Sequence, residues 1–300
     1  MTMDEIILNL QSLKLDDEPS NEVRDLFKQV GKVAYMLVTF HKGKSIMRAR
    51  PNEIGQRFSH KDELSFKPQK FNTTYQRAST PNQTMFYATS LPEKIEVGEL
   101  DNARIIGVVE AMPWLRDKTS SGYKKITFGR WHVEENINLI AILHKDTFYE
   151  ESNYTRELVD AYNHFISQED KRMLEKSLKY QRFLANEFSK DITKHTDYLI
   201  SAIFTEIISQ NPNIDGVLYP SVRVLGKGFN VAIKPESCKK LGLYVTGECS
   251  VYKLKDHTVV GNDSVVKLDG KTDTFIFEDI ENHRTECLRQ LGVESINDLK

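Results

Sequence analysis

The chain has 300 residues, of which 39% are hydrophobic and 10% aromatic, and this is enough apolar material to build a sizeable core. Its 41 basic and 43 acidic residues leave a formal net charge of −2 with no basic block, so nucleic acid is not the default partner. Three cysteines without a CxxC pair exclude a disulfide framework and a thiolate zinc site, and they indicate a reducing cytoplasm.

The N-terminus begins with two predicted helices. Apolar residues recur at helical spacing at 3 to 14 and again at 21 to 31, which predicts a helical lead-in. The next apolar run, "AYMLVTF" at 34 to 40, either extends the second helix or forms a strand. After the turn-like "HKGK", the sequence "SIMRARPN" favours a strand that carries Arg48 and Arg50.

The middle of the chain mixes strand-like runs with a long loop. Residues 51 to 84 are polar and turn-rich, and a loop of that length is usually functional or disordered. "TMFYATS" at 84 to 90 and "INLIAIL" at 137 to 143 predict strands. Between them, "ARIIGVVEAM" at 103 to 112 is apolar except at its ends and at Glu110.

The second half changes to charged, helix-forming sequence. Between 146 and 210, apolar residues at three- and four-residue spacing predict helices with solvated outer faces. From 237 onward, "GLYVTG" and "DTFIFED" resemble strands, and a short final helix is expected near 280 to 292. No linker is evident, so the sequence predicts one elaborated α+β domain over residues 1–300.

The sequence lacks the common catalytic and metal-binding motifs. It has no Walker loop, GxGxxG, HExxH, GxSxG or EF-hand loop. Its eight histidines are scattered without metal-ligand spacing, so we expect no metal site. The acidic N-terminus does not resemble a secretory signal, and no apolar run reaches the roughly 18 residues of a membrane span.

Glu110 and three arginines are the first candidates for chemistry. Burying an unpaired carboxylate costs several kcal/mol, so Glu110 either has a partner or a shifted pKa, or it marks an exposed end of its element. Arg48, Arg50 and Arg77 lie beside short apolar stretches, where each is a candidate ligand or an ordinary surface arginine.

The stretch "DGVLYPSVRVLGKGFNVAIKP" at 215 to 235 is the second candidate. Gly216 and Pro220 are typical of turns, and "FNVAI" alternates like a half-buried strand. Turns and a strand without any ligand would explain both features. Alternatively, rigid turns hold Ser221, Arg223 and Asn230 because a ligand binds there.

Taken in order, several of these segments resemble the RES-domain family. They are "IMRARPN", "YQRASTPNQTMFYATS", the glutamate of "VVEAM", "GVLYPSVR" and "FNVAIKP", and the resemblance covers roughly 45 to 112 and 195 to 235. Many members of this family are toxins of toxin–antitoxin pairs that destroy nicotinamide adenine dinucleotide (NAD), with a core like that of ADP-ribosyltransferases. The resemblance implies a core at about 33–145 and 195–275, with a helical insertion at about 146–194.

The functional residues of the family correspond to six positions of this sequence, and two further positions are alternatives. The resemblance implies catalytic roles for Arg48, Glu110 and Ser221, and dinucleotide binding by Arg77, Tyr87 and Asn230. Arg50 could take the part of Arg48. Small members place the glutamate closer to the tyrosine, which would select Glu99, but the polar "ELDN" around Glu99 needs no explanation and Glu110 is preferred.

These residue types suit a dinucleotide. Arginines bind pyrophosphate through charge-assisted hydrogen bonds, and a tyrosine offers a ring face to nicotinamide or adenine. A carboxylate stabilises the oxocarbenium-like state of a breaking ribose–nicotinamide bond. On this interpretation, Pro220 stiffens a turn that presents the Ser221 hydroxyl to the substrate, and Asn230 reaches the same cleft. The expected partners are NAD as substrate and a cognate antitoxin protein, with no metal, nucleic acid or membrane.

Two other hypotheses remain open at this stage. One is a catalytically idle RES-like scaffold, in which the helical region 146 to 210 binds a partner protein and the cleft senses a nucleotide. The other is an RNA-binding or RNA-modifying protein that stacks bases on Arg77, Tyr75 and Phe86, although the near-neutral charge counts against it.

Overall fold

A single mixed sheet is the centre of the fold in the computed structural model, which describes residues 1–90, 103–281 and 283–299. Its ten described strands lie in the order β1-β5-β6-β7-β3-β2-β4-β8-β9-β10. Within those residues β5 and β6 form the one parallel pair, and all the other neighbours are antiparallel. The strands are β1 Met36–Phe40, β2 Ser45–Pro51, β3 Phe86–Ser90, β4 Gly122–Val133, β5 Ile137–Ala141, β6 Gly216–Pro220, β7 Phe229–Ile233, β8 Leu241–Leu254, β9 His257–Gly270 and β10 Glu278–Asp279.

Helices cover both faces of the sheet, and because nearly all the described strand pairs are antiparallel, the chain is an α+β protein. They are α1 Met3–Ser12, α2 Ser20–Val30, α3 Ala103–Ala111, α4 Asn153–Ile166, α5 Lys171–Ser189, α6 Leu199–Ser209 and α7 Arg284–Gln290. One core cluster joins α1, α2, α5 and α6 to β6, and a second joins α4 to β5 and β7. A third, smaller cluster joins α3 to β2 and β4. Apolar faces at helical spacing are thus buried against the sheet, as such faces require.

The structure resolves the ambiguity at residues 34 to 40. Helix α2 ends at Gly31, whose φ of 64° suits glycine far better than other residues, so the helix cannot continue into "AYMLVTF". Residues from Met36 onward form β1, which pairs with β5. The predicted strand that carries Arg48 and Arg50 is confirmed as β2. Between β2 and β3 the described structure contains only short 3₁₀ turns and isolated bridges.

Strands β2 and β3 share only a short ladder. Ile46 pairs with Ser90 and Met47 with Thr89, and beyond these two pairs the strands diverge. Strand β2 continues beside β4 as far as Pro51, whereas β3 continues beside β7. The sheet therefore splits near its middle, and the split leaves room for side chains and for a cavity.

Gly216 has a different role from the turn expected of it. It lies inside β6 at the point where β6 approaches β7 closely. A Cβ atom added there would lie 2.0 Å from the carbonyl oxygen of Ala232, which no larger residue could accommodate without moving backbone. Glycine at this position is required for close strand approach.

The C-terminal strands are longer than the sequence indicated. Strands β8 and β9 form a hairpin of 14 residues on each side, although only "GLYVTG" resembled a strand. The strand expected over "DTFIFED" is mostly wrong, because only Glu278–Asp279 pairs with β9. Phe275 and Phe277 instead bury their rings in the second core cluster. The final helix is confirmed as α7.

Two further expectations concern the environment of the protein. Cys238, Cys249 and Cys287 are all free thiols. Among the described residues, no helix combines the length and the apolar character needed to cross a bilayer. The predicted boundaries of the core and the helical insertion stay a prediction, and α4 and α5 both fall inside the range expected for the insertion.

Candidate active site

Glu110 lies in the last turn of α3, where the helix packs on the sheet. The contact is close because the helix presents Gly107 to β2, and a Cβ there would lie 3.1 Å from the Cβ of Ala49. Ile106 and Val108 are buried in the same helix, while Glu110 is partly buried. Of the alternatives open for Glu110, the one in which the carboxylate has protein partners is the one observed.

Two side chains from distant parts of the sequence hold one oxygen of Glu110. The Ser221 hydroxyl donates to Oε1 over 2.6 Å, and the Asn230 amide donates to the same oxygen over 2.8 Å. Within the described residues, Oε2 has no hydrogen-bond partner. Two donors to one carboxylate oxygen are charge-assisted and fix the orientation of the carboxylate plane. This second oxygen is therefore a candidate acceptor for a hydrogen bond from a ligand.

The loop that carries Ser221 is shaped to bring its hydroxyl under α3. Pro220 ends β6, a short 3₁₀ turn follows, and Leu225 adopts a left-handed conformation with φ of 52°. The backbone N–H of Ser221 donates to the carbonyl oxygen of Gly228, which closes the loop. A Cβ at Gly228 would lie 2.2 Å from the side chain of Ile106 in α3. Glycine therefore lets the loop and the helix touch.

This arrangement corrects the role expected for Ser221. Its side chain is 0% exposed, so its hydroxyl is not presented to a substrate as the turn had suggested. The hydroxyl is used inside the protein to hold Glu110. Ser221 is accordingly a positioning residue, and the proline and glycines around it serve its burial.

Asn230 is also used within the protein. It lies in β7 directly opposite Thr89 of β3. The Thr89 hydroxyl donates to Oδ1 of Asn230 over 3.5 Å, which leaves the amide nitrogen to face Glu110. The expectation that Asn230 binds the substrate directly therefore gives way to a positioning role. Thr89 was missed from the sequence, where a threonine in a strand looks unremarkable.

A cavity of about 630 Å³ opens at the split between β2 and β3. Its wall includes Arg48, Arg50 and Tyr87, which the sequence had selected, and Ala111, the residue that follows Glu110. Lys67 adds a further basic group to the lining, and Asp62 and Glu63 add two acidic ones. A volume of this size lies within the range of small-molecule sites.

Arg48 crosses the gap between the diverging strands. Its Nη1 donates to the carbonyl oxygen of Tyr87 over 2.7 Å, and its guanidinium lies 5.3 Å from the ring centre of Phe86. Among the described residues, its Nε is buried without a hydrogen-bond partner. Burial, followed by the charge of Arg50, lowers the pKa of Arg48 to about 10. The guanidinium is thus under-solvated and short of a counter-charge.

Arg50 reinforces the positive charge at this position. It donates to the carbonyl oxygen of Glu63, and its guanidinium lies 4.8 Å from the ring centre of Phe58. Within the described part of the chain, neither Arg48 nor Arg50 forms an ion pair with a carboxylate. Two adjacent guanidinium groups without a carboxylate partner favour the binding of an anion.

Tyr87 belongs to the cavity wall, and the protein holds its hydroxyl. The Tyr87 oxygen accepts from the backbone N–H of Ala78 over 3.0 Å and lies 2.8 Å from the Ser79 hydroxyl. Burial raises the pKa of Tyr87 above its usual range, so the phenol is neutral at physiological pH. A fixed, neutral ring beside two arginines is suited to stacking on a flat heterocycle.

Arg77 is not among the residues that line the cavity, and its predicted role in binding the dinucleotide stays a prediction. Its guanidinium is buried against the end of α5, where it donates to the carbonyl oxygens of Phe188 and Lys190, the latter over 3.2 Å. It also lies over the ring of Tyr198, 4.8 Å from its centre. These donors satisfy carbonyls that a helix end otherwise leaves unpaired. Arg77 therefore caps α5.

The residues proposed for RNA stacking are buried. Phe86 is fully enclosed and packs edge-on against Trp131, and Tyr75 is buried with its hydroxyl 2.6 Å from that of Ser20. Neither ring has a face available to a base. The RNA hypothesis in the form stated is wrong for these residues.

Two expectations remain, one about Glu99 and one about metal binding. Glu99 falls outside the described residues, so its comparison with Glu110 stays open. The described residues contain no cluster of three or more histidine, cysteine, aspartate or glutamate side chains suited to a metal ion.

Tyr198, which contacts Arg77, was missed because its partner lies more than a hundred residues earlier in the chain.

Comparison with known proteins adds no identity to this geometry. No protein-family model matches the chain, and no curated protein matches it either.

Proposed function

We propose that the protein cleaves the bond between nicotinamide and ribose in NAD, with Glu110 as the catalytic carboxylate. One observation carries the proposal, namely that Ser221 and Asn230 hold one oxygen of Glu110 while the other oxygen has no partner among the described residues. An acidic side chain oriented in this way is prepared to stabilise positive charge that develops on a bound sugar.

The adjoining cavity suits the rest of the dinucleotide. The pyrophosphate binds between Arg48 and Arg50, which both line the cavity and have no carboxylate partner among the described residues. The ring of Tyr87 stacks on a heterocycle. Ala111 belongs to the same wall, so a ligand anchored on the arginines extends toward Glu110.

The reaction follows from the free oxygen of Glu110. The bond between ribose C1′ and the pyridine nitrogen breaks, and its electron pair leaves with nicotinamide, which becomes neutral. The ribose takes on oxocarbenium character, which the negative charge of Glu110 stabilises. With water as acceptor, a new bond forms between oxygen and C1′ and one proton is released to solvent. Inorganic phosphate or a macromolecule takes the place of water in phosphorolysis or ADP-ribosyl transfer.

The proposal extends to family and setting. We assign the chain to the RES type with an ADP-ribosyltransferase-like core. The support is that Ser221 and Asn230 meet Glu110, and that Arg48, Arg50 and Tyr87 line the cavity at the split sheet. Such an enzyme acts in the cytoplasm, where NAD is abundant and where three free cysteines persist. Uncontrolled NAD cleavage slows growth, so a toxin or defence role against phage and a cognate antitoxin protein follow from the activity.

The test is direct. Purified protein is incubated with NAD, and free nicotinamide is measured over time, with and without inorganic phosphate. We expect nicotinamide release by the wild type, and in cells we expect expression to lower the NAD pool and slow growth. If the protein binds NAD but releases no nicotinamide, the nucleotide-sensing scaffold replaces the enzyme; if it neither binds nor cleaves NAD, the proposed function is wrong.

A further inference from the structure

Tyr219 is a buried side chain that none of the roles above uses. It lies in β6 two residues before Ser221, and its Cα pairs in register with Asn230 of β7. The residue is 3% exposed, and its ring packs 5.3 Å from the ring of Phe188 in α5. The body of the side chain is therefore fixed by the core.

The hydroxyl of Tyr219 has no hydrogen-bond partner within the described residues. Two other buried tyrosines satisfy theirs: the Tyr162 hydroxyl donates to the carbonyl oxygen of Ala34 over 2.9 Å, and the Tyr75 hydroxyl lies 2.6 Å from that of Ser20. A buried phenol without a partner among the described residues is expected to find one in a ligand.

Four neighbouring side chains indicate which part of the protein the Tyr219 hydroxyl faces. Tyr87, Arg77, Glu110 and Tyr198 all interact electrostatically with it. Burial, the largest effect, and then the nearby Tyr87 raise the pKa of Tyr219 well above its usual range, so the hydroxyl keeps its proton. A protonated phenol beside a carboxylate with a free oxygen offers a donor and an acceptor to one ligand.

We propose that the Tyr219 hydroxyl is a substrate-binding group that donates a hydrogen bond to an oxygen of the nicotinamide ribose, next to Glu110. This inference rests on the proposed function, since it assigns a residue to the sugar of the same substrate. Tyr219 and Asn230 are paired across β6 and β7, and Asn230 in turn holds Glu110. This pairing places the phenol donor and the carboxylate at the same sugar. The adenosine half of the dinucleotide lies toward the arginines and does not touch Tyr219.

The experiment compares Tyr219→Phe with Tyr162→Phe, which makes the same chemical change at a hydroxyl that has a protein partner. We expect Tyr219→Phe to keep or raise the melting temperature, because no protein hydrogen bond is lost, and to lower kcat/KM for NAD about tenfold. Tyr162→Phe should lower the melting temperature and leave kcat/KM unchanged. Calorimetry with ADP, which lacks the nicotinamide ribose, should give the same affinity for Tyr219→Phe and wild type.

The outcomes separate the inference from the proposed function. Wild-type kinetics in Tyr219→Phe, while the wild type releases nicotinamide, would overturn the role of Tyr219 and leave the enzyme assignment intact. A melting temperature that falls as far as in Tyr162→Phe, or an equal loss of ADP affinity, would also overturn it, because both indicate a structural role. A wild type that neither binds nor cleaves NAD overturns the proposed function and the inference with it.

Discussion

Replacing Glu110 by glutamine tests the catalytic carboxylate with little change in shape. Oε1 of Glu110 is the acceptor for both Ser221 and Asn230, so the amide oxygen of glutamine can take its place and keep both hydrogen bonds. The amide nitrogen then occupies the position of the free oxygen. The substitution therefore removes the negative charge and turns an acceptor into a donor at the oxygen that we propose to face the sugar.

We expect Glu110→Gln to lower kcat strongly and to change the affinity for NAD only slightly. Removal of one preorganised electrostatic partner of a transition state commonly lowers kcat about a hundred- to a thousand-fold, or roughly 3 to 4 kcal/mol. The arginine-lined cavity is unchanged, so the affinity for NAD should stay within about threefold of wild type. Nicotinamide release gives the first quantity and calorimetry gives the second.

A matched control uses another carboxylate with defined partners. Glu206 accepts from Arg24 over 2.8 Å and from Thr80, on the side of the fold where α2 meets α6. Glu206→Gln should lower stability while nicotinamide release stays near wild type. If Glu110→Gln releases nicotinamide at a rate near that of wild type, the assignment of the carboxylate is refuted and Glu99 becomes the next candidate.

Three further predictions test the groups around Glu110. Ser221→Ala removes one of two charge-assisted hydrogen bonds to the carboxylate, so kcat should fall about ten- to a hundred-fold with KM nearly constant, and an unchanged kcat would contradict the positioning role. Arg48→Lys should weaken NAD binding in calorimetry about tenfold and more than Arg50→Lys, because the Arg48 guanidinium bridges the gap to the carbonyl oxygen of Tyr87 and a lysine cannot reproduce its planar fork; the reverse order would exchange their roles. Arg77→Ala should lower the free energy of unfolding in urea by about 2 to 3 kcal/mol, because carbonyls at the end of α5 lose their donor, and an unchanged stability would contradict the capping role.

Local sequence signals identified much of the candidate site. Glu110 was detectable because a carboxylate inside an apolar run requires a reason, and the structure supplies two hydrogen bonds. Ser221 was detectable because prolines and glycines seldom cluster beside a strand without a structural cause. In both cases the signal lies within a few residues of the side chain itself.

Features that depend on distant partners escaped prediction. Arg77 looked like a phosphate ligand because the sequence does not reveal the carbonyl oxygens that accept its hydrogen bonds. One of them belongs to Phe188 at the end of α5, 111 residues later in the chain. Tyr219 was hidden by its apolar neighbours, although the two-residue period of a strand places it on the same side as Ser221. The β8–β9 hairpin was underestimated because β9 alternates weakly and its exposed side carries polar residues.

The capping of α5 by Arg77 decides how the helical region can be studied. Excision of residues between β5 and α6 would strip acceptors from a buried guanidinium and remove Tyr180, Phe183, Leu184 and Phe188 from the core. A shortened chain would then be inactive through misfolding, whatever the helices normally do. Exchange of outward-facing side chains such as Arg172 and Glu175 leaves the cap intact. Surface exchange, rather than deletion, is therefore the way to find out whether another protein docks on these helices.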